Sequence, residues 1–265
     1  MKLNILITGA SSGIGLELSK SFIEDEHNVV GVSRTIPELT GFLKYYECDL
    51  SNNNAIEEVT KSLLNDIDKI DVLINCAGVG ISGALEYHTD EETAFIFQVN
   101  VIGTMSFTKR IIPLIRKSNR GKIINIGSVA GDITIPFQTV YSMTKAAINS
   151  YSEGLRLELL PEKIGVTTVL PGDTRTNFTK NRKQPTVIDD DLYGDRIKNS
   201  ISKMEQDEQN GDSPQKIVKV VKKLIQKNSM PISVTVGMNY KLLVILNKLL
   251  PKRLSQLIVY KMYGK

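Results

Sequence analysis

Along the chain, the spacing of hydrophobic positions switches repeatedly between an alternating pattern and a three-to-four-residue one. Short β-rich apolar runs at 3–7, 29–32, 42–47, 72–74, 122–126, 166–170 and 232–236 predict strands. Between them, 13–24, 55–64, 91–115 and 141–160 carry helical patterns; in the first, Ile14, Leu18, Phe22 and Ile23 share one side. After Pro214, one more helical face is formed by Ile217, Val220, Val221, Leu224 and Ile225. Strand–helix alternation of this kind implies right-handed crossovers and a parallel sheet covered on both faces. The pattern therefore predicts a single α/β domain over residues 1–237, a doubly wound Rossmann-type sheet flanked by helices.

Two stretches break this rhythm. Residues 173–213 are polar, rich in Lys, Asn and Asp, and too long for an ordinary connection. They read either as a lid or small helical insertion over a site, or as a loop without structure. The second is the tail, 238–265. If 239–250 is helical, Leu242, Leu246, Leu249 and Leu250 share one side, with Lys241 and Lys248 opposite. Pro251 should end that helix before a second, less regular segment.

Charge sharpens the picture of the tail. The net charge is +4, yet the tail holds six basic residues and no acid, so the remainder carries −2. A slightly acidic body with a basic end, and no basic stripe interleaved with aromatics, argues against nucleic-acid binding. Two readings of the tail stay open: packing over a pocket mouth or a partner subunit, which is the expectation, and an in-plane helix on an anionic membrane. The apolar run at 242–246 is far below the ~20 residues that cross a bilayer, and the N-terminal MKLNILITGA is too short in its apolar part for a signal peptide. Two cysteines, Cys48 and Cys76, offer neither a disulfide framework nor metal-ligand spacing. Free thiols fit a cytoplasmic location.

The candidate chemistry begins directly after the first strand. TGASSGIG places Gly9, Gly13 and Gly15 ahead of a helix, where the backbone can approach a pyrophosphate and unpaired N–H groups can bind it. At the end of the second strand, VSRT offers Ser33 and Arg34 where an acid would serve the ribose hydroxyl of NAD. A hydroxyl and a guanidinium suit a 2′-phosphate, so NADP is favoured over NAD. Residues 141–145, YSMTK, set a phenol four residues ahead of an ammonium. On a helix the two share a face, and the ammonium favours the phenolate, drawing the phenol's pKa down from about 10.

Taken together and in order, TGASSGIG, INCAG at 74–78, Asn100, Ser128, YSMTK and the PG pair at 171–172 resemble the short-chain dehydrogenase/reductase family. Ser128 precedes Tyr141 by thirteen residues, the family's usual interval. The likeness runs from residue 3 to about 236. The extended branch of the family is less similar, since its glycines are spaced TGxxGxxG and its chains are longer.

The resemblance implies hydride transfer between a nicotinamide cofactor and a carbonyl compound or its alcohol. Tyr141 would be the acid/base, Lys145 would lower its pKa and hold the nicotinamide ribose, and Ser128 would bind the substrate oxygen. Asn100 would hold a water linking Lys145 to solvent. The cofactor would lie on Gly9, Ser11, Ser12, Gly13, Ile14 and Gly15, with Ser33 and Arg34 at the 2′-phosphate. Asp49 and Leu50 would meet the adenine, and Asn75, Ala77 and Gly78 would lie under its ribose. Pro171, Gly172, Thr174 and Thr176 would meet the nicotinamide and pyrophosphate. Thr174 stands where the family more often has an aliphatic residue, and Cys76 replaces a common asparagine. No metal is implied.

Ile81, Leu85, Ile133, Ile135, Pro136 and Phe137 would line a pocket for an apolar carbonyl substrate, although core packing explains them equally well. The family also implies a homo-oligomer formed through the helices at 91–115 and 141–160. Two rival readings are a catalytically silent NADP-binding regulator and a membrane-surface reductase of lipid- or steroid-type carbonyls. An intact set of Asn100, Ser128, Tyr141 and Lys145 weighs against the first.

Overall fold

A computed structural model describes residues 2–179, 182–184 and 190–265. Its centre is a seven-stranded sheet, entirely parallel. In chain order the strands are β1 (Asn4–Thr8), β2 (Asn28–Ser33), β3 (Lys44–Glu47), β4 (Val72–Asn75), β5 (Lys122–Ile126), β6 (Gly165–Leu170) and β7 (Ser233–Thr235). In space they run β3-β2-β1-β4-β5-β6-β7. The order reverses between β1 and β4, and a doubly wound sheet opens its binding crevice at such a point, beyond the carboxyl ends of its strands.

Side-chain alternation along the strands supplies two cores. Leu6, Val30, Leu73, Ile123 and Val166 face one side, where they pack with Phe107, Ile111, Leu114 and Leu155. Ile5, Ile7, Val29, Ile74, Ile124 and Val169 face the other, against Leu18, Phe22, Ile217, Val221 and Leu224. The first set of helices is α2 (Asn53–Asp66), α4 (Thr104–Arg116) and α5 (Thr139–Glu158), with α3 (Asp90–Phe97) leading into α4. The second set is α1 (Gly13–Glu24) and α8 (Pro214–Gln226).

Helix ends follow local chemistry. Asn52 caps α2 by accepting from the N–H groups of Asn54 and Ala55, so the helix starts ahead of its apolar pattern. Thr89 and Glu92 form a reciprocal capping box at the start of α3. The predicted long helix over 91–115 is a chain of α3, a π-helical segment Gln98–Gly103 and α4. Gly103 permits the close approach this needs, because a Cβ there would lie 2.2 Å from the carbonyl oxygen of Leu50.

The polar stretch 173–213 falls partly outside the described residues. Within it, α6 (Asp190–Tyr193) and α7 (Arg196–Gln209) are helical, and α7 buries Ile197, Ile201 and Met204. The tail departs from expectation in two ways. It forms two regular helices, α9 (Met238–Leu249) and α10 (Lys252–Tyr263), with Pro251 at the N-cap of the second. Proline preset for a helix start resets the direction there and leaves the following helix undisturbed. The leucine side of α9 is also not its buried side. Val244 is buried and Tyr240 and Asn247 are half-buried, whereas Leu242 and Leu249 are exposed.

Candidate active site

Two loops meet at the reversal point. Thr8, at the end of β1, accepts through Oγ1 from the backbone N–H groups of Cys76 (3.1 Å) and Ala77 (3.3 Å) beyond β4. The chain then turns through Gly9, whose φ of +69° and distance of 2.8 Å from a built Cβ to Ala77 exclude a side chain. At Gly15 a Cβ would lie 2.2 Å from the Gly9 carbonyl oxygen, so α1 can begin this close to β1 only with glycine. Ser12 caps α1 in extended backbone and makes no side-chain cap bond. Gly9, Ser12, Gly13 and Ile14 thus present backbone to a cavity of about 440 Å³ at a helix N-terminus. A cradle that side chains would fill, at the positive end of a helix, fits the phosphates of a dinucleotide. Ser11 does not line the cavity; its hydroxyl accepts from the Thr35 hydroxyl at 3.3 Å.

Arg34 is exposed and lines the cavity. Ser33 does not. Its hydroxyl is turned into the sheet, donating to the Thr35 carbonyl at 2.7 Å and pairing with the Tyr45 hydroxyl on β3. The expected phosphate-binding pair is therefore Arg34 without the Ser33 side chain. Asp49 follows β3 and accepts from the Ser51 N–H at 2.8 Å. Leu50 is buried, and its carbonyl packs on Gly103.

Asn75 also departs from its expected place. Its amide points into the core, donating to Thr108 Oγ1 (2.9 Å) and Asn125 Oδ1 (2.8 Å), because strand alternation aims position 75 away from the cavity. Cys76, Ala77 and Gly78 line the cavity instead. Burial pushes the Cys76 thiol up to about 12, which keeps it protonated at neutral pH.

Ser128, Tyr141 and Lys145 all line the same cavity. Ser128 stands just beyond β5, held by accepting from the Ala130 N–H at 3.1 Å, and its hydroxyl acts to lower the pKa of Tyr141. Tyr141 and Lys145 share the inner face of α5. The lysine Nζ lies 5.7 Å from the centre of the phenol ring and donates to the Ile126 carbonyl at 3.0 Å. Burial lowers the Lys145 pKa to about 8. Burial also pushes the Tyr141 phenol above its ordinary value, more than the Ser128 hydroxyl pulls it down. In the protein alone, desolvation thus dominates the effect that spacing predicts for the Tyr–Lys pair, and the phenol is held protonated.

Asn100 sits in the π-helical segment. Its amide donates to the Val79 carbonyl (2.9 Å) and Thr144 Oγ1 (3.1 Å), and its oxygen accepts from the Val79 N–H (2.8 Å). Both donors are thus committed to protein, and the side chain clamps the loop after β4 to α5. A Cβ at Gly78 would meet Asn100 Oδ1 at 3.4 Å and Lys145 Nζ at 3.6 Å, so the three groups border one small space.

Pro171, Gly172, Thr174 and Thr176 line the cavity beyond β6. Thr176 lies 3.6 Å from a Cβ built on Gly13 and so faces the glycine turn. Gly172 is packed under the Tyr240 ring of α9, where a Cβ would approach to 2.3 Å. Of the expected pocket residues, Ile133 and Ile135 line the cavity. Phe137 and Ile81 are core residues, and Leu85 is exposed.

The tail, expected over a pocket mouth, supplies the rest of the wall. Leu243, Leu246 and Leu250 of α9 and Ile258, Val259 and Met262 of α10 make its outer side apolar. Asp173 and Glu208 add two carboxyls. Asp173 accepts from the Tyr240 hydroxyl at 2.6 Å, and Glu208 is paired with Arg182 and Thr179. Burial raises the pKa of both acids. Glu208 is carried on a polar face of α7, which in sequence is indistinguishable from a solvated one.

The chain matches the short chain dehydrogenase family model over residues 3–186. It is 38% identical over 234 residues to a 3-ketodihydrosphingosine reductase of Bacteroides thetaiotaomicron, covering 88% of this chain and 87% of that one. Among solved structures, a short-chain dehydrogenase from Streptomyces avermitilis superposes with a TM-score of 0.83 at 26% identity, over 98% of this chain and 97% of the other. A serine dehydrogenase complexed with NADP+ gives a TM-score of 0.75 at 27% identity, over 88% and 94%. A sheet of this order, a glycine turn at its reversal point and these matches agree: the chain belongs to the short-chain dehydrogenase family and is an oxidoreductase of CH–OH and C=O groups.

Proposed function

We propose that the protein is an NADP-dependent carbonyl reductase with Tyr141 as its acid/base, acting on a ketone borne by a long apolar chain. The observation that carries this reading is a single cavity bordered by the glycine turn and Arg34 on one side and by Ser128, Tyr141 and Lys145 on another. Bound NADPH supplies the hydride. Ser128 donates to the carbonyl oxygen as negative charge develops on it, and Tyr141 delivers the proton that completes the alcohol. A phenol kept protonated by burial suits the reductive direction. Lys145, once charged beside the ribose hydroxyls, steadies the phenolate that remains. Arg34 is a match for a 2′-phosphate, and the NADP+ in the related serine dehydrogenase supports that choice.

The substrate class rests on the apolar outer wall and on the name of the Bacteroides relative, a reductase of a long-chain keto compound. Asp173, which also lines the cavity, offers an acceptor for a cationic group on the same substrate. We place the enzyme in the cytoplasm, as its two free thiols favour. NADPH oxidation should be followed with 3-ketodihydrosphingosine and with short ketones. Turnover is expected with the long-chain ketone. Tyr141→Phe should lower kcat by at least about a thousandfold while leaving NADPH affinity within about twofold. Comparable turnover by that variant would remove the mechanism.

A further inference from the structure

The outer side of the tail is the largest feature that the reductase chemistry does not use. Helix α9 has three sides. Tyr240, Val244 and Asn247 face the protein, and Leu243, Leu246 and Leu250 border the cavity. The third side is a stripe of Met238, Leu242, Ile245 and Leu249, spaced i, i+4, i+7, i+11, with exposures of 78%, 58%, 53% and 76%. None of the four belongs to a core cluster or lines the cavity among the described residues. On α10, Leu254 and Leu257 are also exposed, at 45% and 48%. Apolar rows of this length on a surface mark a contact with something else.

The charge around the stripe selects the partner. Lys241 and Lys248 flank it on α9, and Lys252, Arg253, Lys261 and Lys265 follow, with no acid from 238 to 265. None of the six forms an ion pair among the described residues. A second protein surface would need a matching apolar face rimmed by acids, and the body of this chain presents basic and acidic residues mixed. An anionic bilayer offers both complements at once: an apolar layer for the stripe and headgroup charge for flexible lysines reaching up from its edge.

We propose that α9 and α10 dock the protein on the surface of an anionic lipid bilayer, lying in the plane of the interface. The stripe of Met238, Leu242, Ile245 and Leu249 enters the lipid, and the tail's lysines and arginine bind the headgroups. No helix of the described residues is long and apolar enough to cross a membrane, and docking on one leaflet requires none. Since the same two helices wall the cavity with their inner sides, the docked protein would hold its pocket next to a source of apolar substrate.

Flotation of the full chain, without cofactor or substrate, with liposomes of pure phosphatidylcholine and with liposomes containing phosphatidylglycerol tests the idea apart from any turnover. Binding is expected on the anionic vesicles, weak on the neutral ones, and reduced severalfold in 0.5 M salt. Leu242→Gln/Ile245→Gln/Leu249→Gln should cut the partition coefficient about tenfold or more while leaving the melting temperature unchanged, since none of the three lines the cavity or packs in a core. Lys241→Gln/Lys248→Gln should lower anionic binding alone. Failure of the parent to float with anionic vesicles would overturn the proposal. So would a drop in oligomeric mass on making the leucine variant, which would assign the stripe to a second copy of the chain.

Discussion

Lys145 holds its ammonium in a buried place with one carbonyl for company, and that arrangement has a thermodynamic signature. Its pKa of about 8 in the folded protein lies below its ordinary 10.5. Between those values the unfolded chain binds more protons than the native one, so stability must rise with pH across the window; below pH 8 the cost of the buried charge is present in full. Relative to Lys145→Met, the cofactor-free protein should gain on the order of 3 kcal/mol between pH 8 and 10.5. Denaturant unfolding of both at several pH values reads this directly, and parallel curves would contradict it. Arg34 makes the second prediction at this scale. Arg34→Asp should shift the ratio of kcat/KM from NADPH toward NADH by about a hundredfold, because charge-assisted bonds are lost and a like charge meets the phosphate. An unchanged ratio would mean that Arg34 does not read the cofactor.

The residues whose places are legible in the sequence are those whose backbone forms the contact, such as Gly9, Gly13 and Gly15, and those aligned by helical spacing, such as Tyr141 and Lys145. Ser33 and Asn75 mislead, because motif position says nothing of which side of a strand a side chain takes.

Elements show the same division. Strand positions can be read from apolar runs, since in a sheet buried on both faces hydrophobicity is continuous. The π-helical segment at Gln98–Gly103 cannot, because it goes with a close approach of Gly103 to a carbonyl distant in sequence. Nor can the docking side of α9 be read from its leucines, as the aromatic and amide residues Tyr240 and Asn247 lie on the inner side. The tail is nonetheless tied to the body. Tyr240 covers Gly172 and bonds Asp173, Asn247 donates to the Asp132 carbonyl at 3.1 Å, and Arg196 donates to the Gly264 carbonyl at 3.0 Å. Deleting 238–265 should therefore lower the melting temperature by about 5 °C or more and weaken selection for long-chain over short ketones. Calorimetry and a ketone series measure both. A truncated protein with unaltered melting and substrate range would show that these contacts carry no weight.

For the whole molecule, assembly is the first question. Ile102 and Met105, at the junction of the π-helical segment and α4, are 47% and 41% exposed, and Met143 and Leu157 on α5 are 50% and 69% exposed. These are the two helices through which association is expected, though Val101 and Phe107 are buried at home and contribute nothing to it. We expect a dimer at micromolar concentration by light scattering, and Ile102→Glu/Met143→Glu should make it monomeric. A monomeric parent would exclude that interface.

The sheet order also sets a sequence of events in time. Ile5 pairs with Val29 on one side and Val72 on the other, so the first strand cannot be enclosed until β4 has been made. Each later strand is added at one edge, and α9 and α10 leave the ribosome after all seven strands. The wall of the cavity is thus completed after the sheet, and a nascent chain has the fold of a dehydrogenase before its pocket has an apolar outer side.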